Sequence, residues 1–238
     1  MSPSRTSRSV VVLCAALVAL SACSAAPEGV EIHDPYEDRN RDRHEANQAF
    51  FAFFSSDPDA ERAPGPVSRR IGNMADNLGH PRRVVNDLLQ LRFANAVENG
   101  YRFVVNSTIG IAGVFDPAAR MGAPGRETDF GETLHVWGVP EGAYQELPIL
   151  GPSTERRTAG RVVDLFLDPL GEVMTPRERN IARAVRITGA VVGREADPDL
   201  AIPYDADSYT RARPIYLNSR RAHLGNDTHA PLLPANAR

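Results

Sequence analysis

Residues 103 to 115, FVVNSTIGIAGVF, run for thirteen positions without a charge, with Gly110 and Gly113 inside the run and Asp116 and Pro117 closing it. As a helix the run is too short to cross a bilayer, which takes about 20 apolar residues. It also makes a poor core helix, because each interior glycine costs about 1 kcal/mol relative to alanine. A stretch of this length is read as buried core or as interfacial. The rest of the chain has to fold around whichever of the two it is.

The N-terminus narrows the choice. Arg5 and Arg8 precede the apolar run VVVLCAALVAL, and the chain then reads LSAC at Leu20 to Cys23. Charge followed by an apolar stretch of this length is a secretory signal. Its end resembles the bacterial lipobox, in which the cysteine is acylated and becomes the first mature residue; an ordinary signal cut near Ala26 is the alternative. Ser24 follows the cysteine, where an Asp would favour retention at an inner membrane. The expected organisation is a signal peptide over 1–22, an acylated tether over 23–33 anchored at Cys23, a helical domain over 34–225 and a disordered tail over 226–238. Loss of Arg5 and Arg8 with the signal moves the formal charge from −3 to −5. No basic footprint for nucleic acid remains. Cys14 leaves with the signal, so the mature chain has no thiol for a disulfide, a redox pair or a nucleophile.

Periodicity predicts a mainly α fold. In DPYE, Asp34, Pro35 and Glu37 have the spacing of a capping box, and Ala46, Ala49, Phe50, Phe53 and Phe54 form one stripe on a 3.6-residue period. SSDPD then stops the helix. Val67, Ile71, Met74 and Leu78 repeat the pattern before Gly79 and Pro81, and Val84, Val85, Leu88, Leu89, Phe93, Ala96 and Val97 continue it over 82–99. This reads as two helices joined by a short turn at Gly79. Thr175, Pro176 and Glu178 form a second capping box ahead of a stripe at Ile181, Val185, Thr188 and Val192. A last helix is expected from Ser208 to Leu224, ending at Gly225. No convincing run of alternating strands is visible. Residues 122–160 are dense in Gly, Pro and aromatic side chains, an irregular region that is either a packed connector or a site.

Catalytic and metal templates do not assemble. His33, His44, His80, His135, His223 and His229 never pair at i, i+4 and never join a CxxC, so no zinc ligand set is expected. Ser107 and Ser153 lack the GxSxG elbow. GIAG lacks the Lys and Ser/Thr of a phosphate loop. Neither enzyme activity nor a cofactor is expected.

Five segments carry a resemblance: DPYEDRNR (34–41), NMADNLGHPRRVVNDLLQ (73–90), RFVVNSTIGIAGVFDPA (102–118), DFGETLHVWGVPEGAYQELPILGPSTER (129–156) and VVDLFLDP (162–169). In this order they resemble the successive motifs of the MlaA family, also called VacJ, of outer-membrane phospholipid-transport lipoproteins. The sequence departs from the usual letters at Leu91, where Gly commonly follows LLQ, at Ala143, and at Glu155 and Arg157.

The resemblance implies an α-helical, ring-like protein embedded in the inner leaflet of the outer membrane. Phospholipid misplaced in the outer leaflet would leave through it to a periplasmic carrier of the MlaC type, and the protein would associate with an outer-membrane porin trimer. On this reading Ile109, Gly110, Ile111, Gly113, Val114 and Phe115 form a membrane-embedded helical segment. One leaflet offers about 15 Å of hydrocarbon, which about ten helical residues cover. The two glycines would permit a close approach or a bend. Arg102, Asn106, Asp129 and Arg156 become candidates for lining a lipid passage, because a head group crossing hydrocarbon needs polar partners. Each has a plain structural alternative: Arg102 can pair with a carboxylate, and Asn106 can cap the segment that follows. The rival class is a structural envelope lipoprotein without transport activity.

Overall fold

A computed structural model describes residues 29–54, 65–195 and 207–225. The signal sequence, Cys23, the SSDPD stop and the C-terminal tail lie outside the described residues. The elements in chain order are α1 (Glu37–Phe54), α2 (Pro66–Leu89), α3 (Phe93–Thr108), α4 (Pro117–Arg120), α5 (Phe130–Val136), β1 (Tyr144–Leu147), β2 (Gly151–Thr154), α6 (Glu155–Asp164), α7 (Leu170–Val173), α8 (Pro176–Glu195) and α9 (Ser208–His223). The predominantly helical fold is as expected. The described residues form two compact units, one from 29–54, 137–159 and 207–225, the other from 65–136 and 160–195.

The first unit joins α1 and α9 to a hairpin. β1 and β2 pair antiparallel, Tyr144 opposite Thr154 through Leu147 opposite Gly151. Four-residue strands, with Pro148 just after β1 and Pro152 inside β2, are too short to show a period of two in the sequence. The α1 stripe expected to be buried faces outward: Ala46, Ala49 and Phe50 are exposed, while Asn40, His44, Asn47 and Phe51 are buried. The buried polar side chains replace missing strand partners. Asn40 donates to the Tyr144 carbonyl at 3.1 Å and accepts from the Glu146 amide at 3.0 Å. Asn47 donates to the Leu147 carbonyl at 2.9 Å and accepts from the Ile149 amide at 2.6 Å. Asp34 does not serve the expected capping box; it accepts from Asn40 at 2.8 Å, from Arg213 at 2.6 Å and from the Tyr209 hydroxyl. Tyr144, Tyr209, Tyr216 and Leu217 make the apolar core with Ile32 against it. Tyr144 meets Tyr209 and Tyr216 edge to face at 6.0 and 6.2 Å, a geometry worth about 0.5–1.5 kcal/mol per pair beyond burial.

In the second unit the expected turn at Gly79 is absent. α2 runs without a break through Gly79, His80 and Pro81 to Leu89, and the turn falls at Gln90 to Arg92. Pro81 withholds one amide from the ladder, but α2 packs along both α3 and α8, and that packing carries the helix across. The reversal after α2 puts Leu91 at φ +59°, the left-handed region where Gly is the easy residue. α8 packs through its small residues. A Cβ on Gly189 would lie 2.3 Å from that of Ala75, and Arg186 donates to the Leu78 carbonyl at 2.6 Å, so the two helices run antiparallel. The capping box before α8 forms as expected: Glu178 accepts from the Thr175 amide at 2.8 Å, and Thr175 Oγ1 accepts from the Glu178 amide at 3.4 Å. Its apolar stripe again turns outward, with Ile181 and Thr188 exposed and Ala182 and Gly189 buried.

Candidate functional site

The second unit is built inside out. Along α3, Phe93, Val97, Tyr101 and Val104 recur at i, i+4, i+8 and i+11 and are all exposed, Val97 by 72% and Val104 by 59%. The opposite face, buried, holds Ala96, Asn99, Arg102, Val105 and Asn106. α2 buries Asn77, His80, Asn86 and Asp87, leaves Ile71, Met74, Leu78, Val84 and Val85 half-buried, and exposes Val67 at its start and Leu88 and Leu89 at its end. Leu91 extends the apolar face across the turn at 73% exposure. In water this arrangement wastes the transfer free energy of the apolar side chains, about 25 cal/mol per Å² left exposed. A large exposed apolar face marks a surface that another apolar phase or partner covers.

The buried polar residues form a connected network. Arg102 donates through Nη1 to the Ala123 carbonyl at 2.5 Å, through Nη2 to Asp116 at 2.9 Å and through Nε to His80 Nε2 at 3.2 Å, with Asp76 at 3.6 Å. His80 Nδ1 faces Asn99 Oδ1 at 3.2 Å and the Arg83 guanidinium at 3.4 Å. Gly125, at φ +79°, makes room for the guanidinium, since a Cβ there would fall 2.6 Å from Arg102 Nε. Asn106 donates to Asp116 at 2.9 Å and accepts from the Ala118 amide at 3.1 Å. Burial pushes the Asp116 carboxyl up, but bonds from Arg102, Asn106 and the Ala119 amide outweigh it and hold the group below the usual carboxylate range. Asp76 likewise sits well below that range, burial being outweighed by His80 and by the Arg83 guanidinium 2.6 Å away.

A second cluster ties α2 to α5 and to the end of α6. Asp164 accepts from Asn86 at 2.9 Å and from the Phe130 amide at 3.2 Å. Thr133 donates to Asn86 and accepts from Gln90, both at 2.9 Å. Burial raises Asp164 despite nearby Arg82. Gly160 permits this approach, because a Cβ there would overlap the Gly131 backbone at 2.2 Å.

Of the four polar residues picked from the sequence, Arg102 and Asn106 converge on Asp116. Asp129 lies in the same unit and caps α5, its carboxylate accepting from the Glu132 amide at 2.8 Å. Arg156 belongs to the first unit, where it is buried and donates to the Val139 carbonyl at 2.9 Å. Asp76, His80, Asn99 and Asp116 were missed. A signal for them exists: Asp76, His80, Arg83 and Asp87 share one face of α2, and Asn99, Arg102 and Asn106 one face of α3, at helical spacing.

The opening segment is not one helix. α3 ends at Thr108 and residues 109–115 form a tight loop, with Ile111, Ala112 and Gly113 at φ +54°, +54° and +87°. The Ala112 amide donates to the Ser107 carbonyl at 3.0 Å, the Gly113 amide to that of Asn106 at 2.8 Å and the Phe115 amide to that of Gly110 at 2.9 Å. Backbone bonds thus close internally while Ile109, Ile111 and Phe115 point outward and Val114 is half-buried. The expected close approaches are present: a Cβ on Gly110 would meet the Asn106 and Phe115 carbonyls at 2.5 Å, and one on Gly113 would meet Asn77 Cβ at 2.5 Å.

Among the described residues no group of three or more His, Cys, Asp or Glu is placed to hold a metal ion. Among them, too, no helix is long and apolar enough to cross a membrane.

Comparison with known proteins supplies the context. A Rickettsia felis protein is 33% identical over 152 residues, 59% of this chain and 58% of its own length. The Haemophilus influenzae protein named Intermembrane phospholipid transport system lipoprotein MlaA is 30% identical over 156 residues, 62% of each chain, and the Escherichia coli protein of that name is 29% identical over 150 residues, 60% of each. The chain thus spans about three fifths of the length of the curated relatives it matches. A chain of a solved structure described as "Structural basis for maintenance of bacterial outer membrane lipid asymmetry" shares the fold, with a TM-score of 0.59 and 24% identity over 80% of this chain and 98% of that one. The profile of the MlaA lipoprotein family matches residues 32–223, nearly the whole of the region described above, and the chain belongs to that family.

Proposed function

We propose that the protein is an outer-membrane lipoprotein that extracts phospholipid misplaced in the outer leaflet and passes it to a periplasmic lipid carrier, maintaining lipid asymmetry. The observation that carries this reading is the reversed amphipathicity of α3 and the adjoining end of α2, apolar outside and hydrogen-bonded polar inside, in a chain of the MlaA family. A helix pair of that kind is stable in hydrocarbon: the outward side chains meet acyl chains, and the buried charges keep their partners within the protein. The loop 109–115 closes its backbone bonds on itself, which suits non-helical backbone at membrane depth. Cys23 is the acylation site and holds the protein at the inner leaflet.

In this mechanism the protein solvates the head group while the acyl chains stay in lipid. Arg102 and Asn106, the two sequence candidates that converge on Asp116, are the polar residues proposed to serve that passage, with those bonds setting their positions. A porin trimer supplies the surrounding support, and the carrier receives lipid at the periplasmic side. Deletion of the gene in the native host tests the reading. It should raise outer-leaflet phospholipid and sensitivity to detergent and EDTA, and the wild-type gene should restore both. An unchanged outer leaflet in the deletion strain would overturn it.

A further inference from the structure

Helix α8 combines an outward apolar stripe with guanidinium groups that the fold does not use. Its inward side is accounted for by Ala182 and Gly189 against α2 and by Arg186, which pairs with Asp168 and bonds the Leu78 carbonyl. Its outward side carries Ile181, Ala184, Ile187 and Thr188, all exposed. Arg179 and Arg183 flank that stripe, and Arg177 stands in the first turn. All three arginines are exposed. Arg179 makes one bond, to the Met174 carbonyl at 3.3 Å. Arg177 and Arg183 have no side-chain partner among the described residues. The neighbouring acid, Glu178, is occupied by the Thr175 cap.

A helix with an apolar stripe edged by arginine lies in the plane of a lipid interface, its aliphatic groups among acyl chains and its guanidinium groups at head-group height. Guanidinium matches a phosphodiester through two parallel N–H donors, and a leaflet of net negative charge adds a long-range attraction that a zwitterionic one lacks. We infer that α8 is an interfacial helix that docks on a phospholipid leaflet bearing net-anionic head groups, with Arg177 and Arg183 as the charge-recognising residues and Ile181 and Ile187 as the inserted apolar ones. The inference rests on the membrane-embedded reading above and adds head-group selectivity to it.

The test uses the full mature chain with Cys23→Ala, so that no acyl anchor masks the protein's own affinity. Flotation is measured with vesicles of phosphatidylcholine alone and of phosphatidylcholine containing phosphatidylglycerol, at low and high salt. Each arginine at a charged leaflet is worth about fivefold in binding, so Arg177→Gln with Arg183→Gln should lower affinity for the anionic vesicles by about 25-fold and leave affinity for the neutral ones unchanged. Raised salt should erase the same preference in the parent chain. Arg120→Gln with Arg126→Gln, which removes two exposed charges outside α8, should keep it. If the parent binds both vesicles equally, or if the control pair loses as much as the α8 pair, the selectivity of α8 is refuted while the embedded reading stands. If the parent binds neither vesicle, both fail.

Discussion

Placing aspartate at Val97 and Val104 separates a lipid-facing surface from a water-facing one by magnitude alone. Both valines lie on the outward face of α3, 72% and 59% exposed, away from the Arg102 network. They are seven residues apart, about 10.5 Å along the axis at 1.5 Å per residue, so both fit within the roughly 15 Å of one leaflet. If water covers the face, each substitution stays within about 0.5 kcal/mol, as exposed positions do. If hydrocarbon covers it, a carboxylate costs about 2.5–3.5 kcal/mol at the bilayer centre and less toward the head groups. At about 2 kcal/mol each the pair loses about 4 kcal/mol, close to a thousandfold in membrane partition. Vesicle flotation of the mature chain carrying Cys23→Ala reads this ratio, and unfolding in detergent checks that the fold is unchanged. Equal flotation of parent and double variant, with both folded, would refute the assignment of the α3 face to lipid.

Replacing Arg102 with Met should cost about 3–5 kcal/mol, because the Asp116 and Asp76 carboxylates lose the cation they share; denaturant unfolding in detergent checks it, and a loss below about 0.5 kcal/mol would count against the network. The carboxyls of Asp76 and Asp116 titrate below their ordinary 3.8 in the folded state, so the folded protein binds fewer protons than the unfolded chain in that range. Their contribution is therefore complete above about pH 4 and falls away as pH drops through the folded values; Asp116→Asn should flatten that acid-side slope in unfolding measured against pH. Leu91→Gly should raise stability by about 0.5–1 kcal/mol, relief of the left-handed backbone exceeding the entropy of glycine; a thermal midpoint that falls would contradict this.

Much of the chain was legible because its signals are local. The capping box at Thr175 and Glu178, the start of α9 at Ser208 and its end at Gly225 all depend on a few neighbouring residues, and the structure has them where the spacing put them. The motif series that resembles the MlaA family was equally readable, and so were the close approaches at Gly110 and Gly113. Periodicity also showed that the helices have two unlike faces. It could not say which face is inside, because a stripe has no sign of its own, and placing every apolar stripe in the core would bury Phe50, Leu88, Val97 and Ile181, all of which are exposed. Tertiary packing alone decided that α2 continues through Pro81, since α3 and α8 hold both halves on one axis. It also decided that Arg102 and Asn106 meet at Asp116 while Asp129 and Arg156 serve elsewhere. Pairings between residues 10 to 40 positions apart are chosen by loop geometry and by the demand that every buried charge find a partner, neither of which is written in any short stretch of sequence.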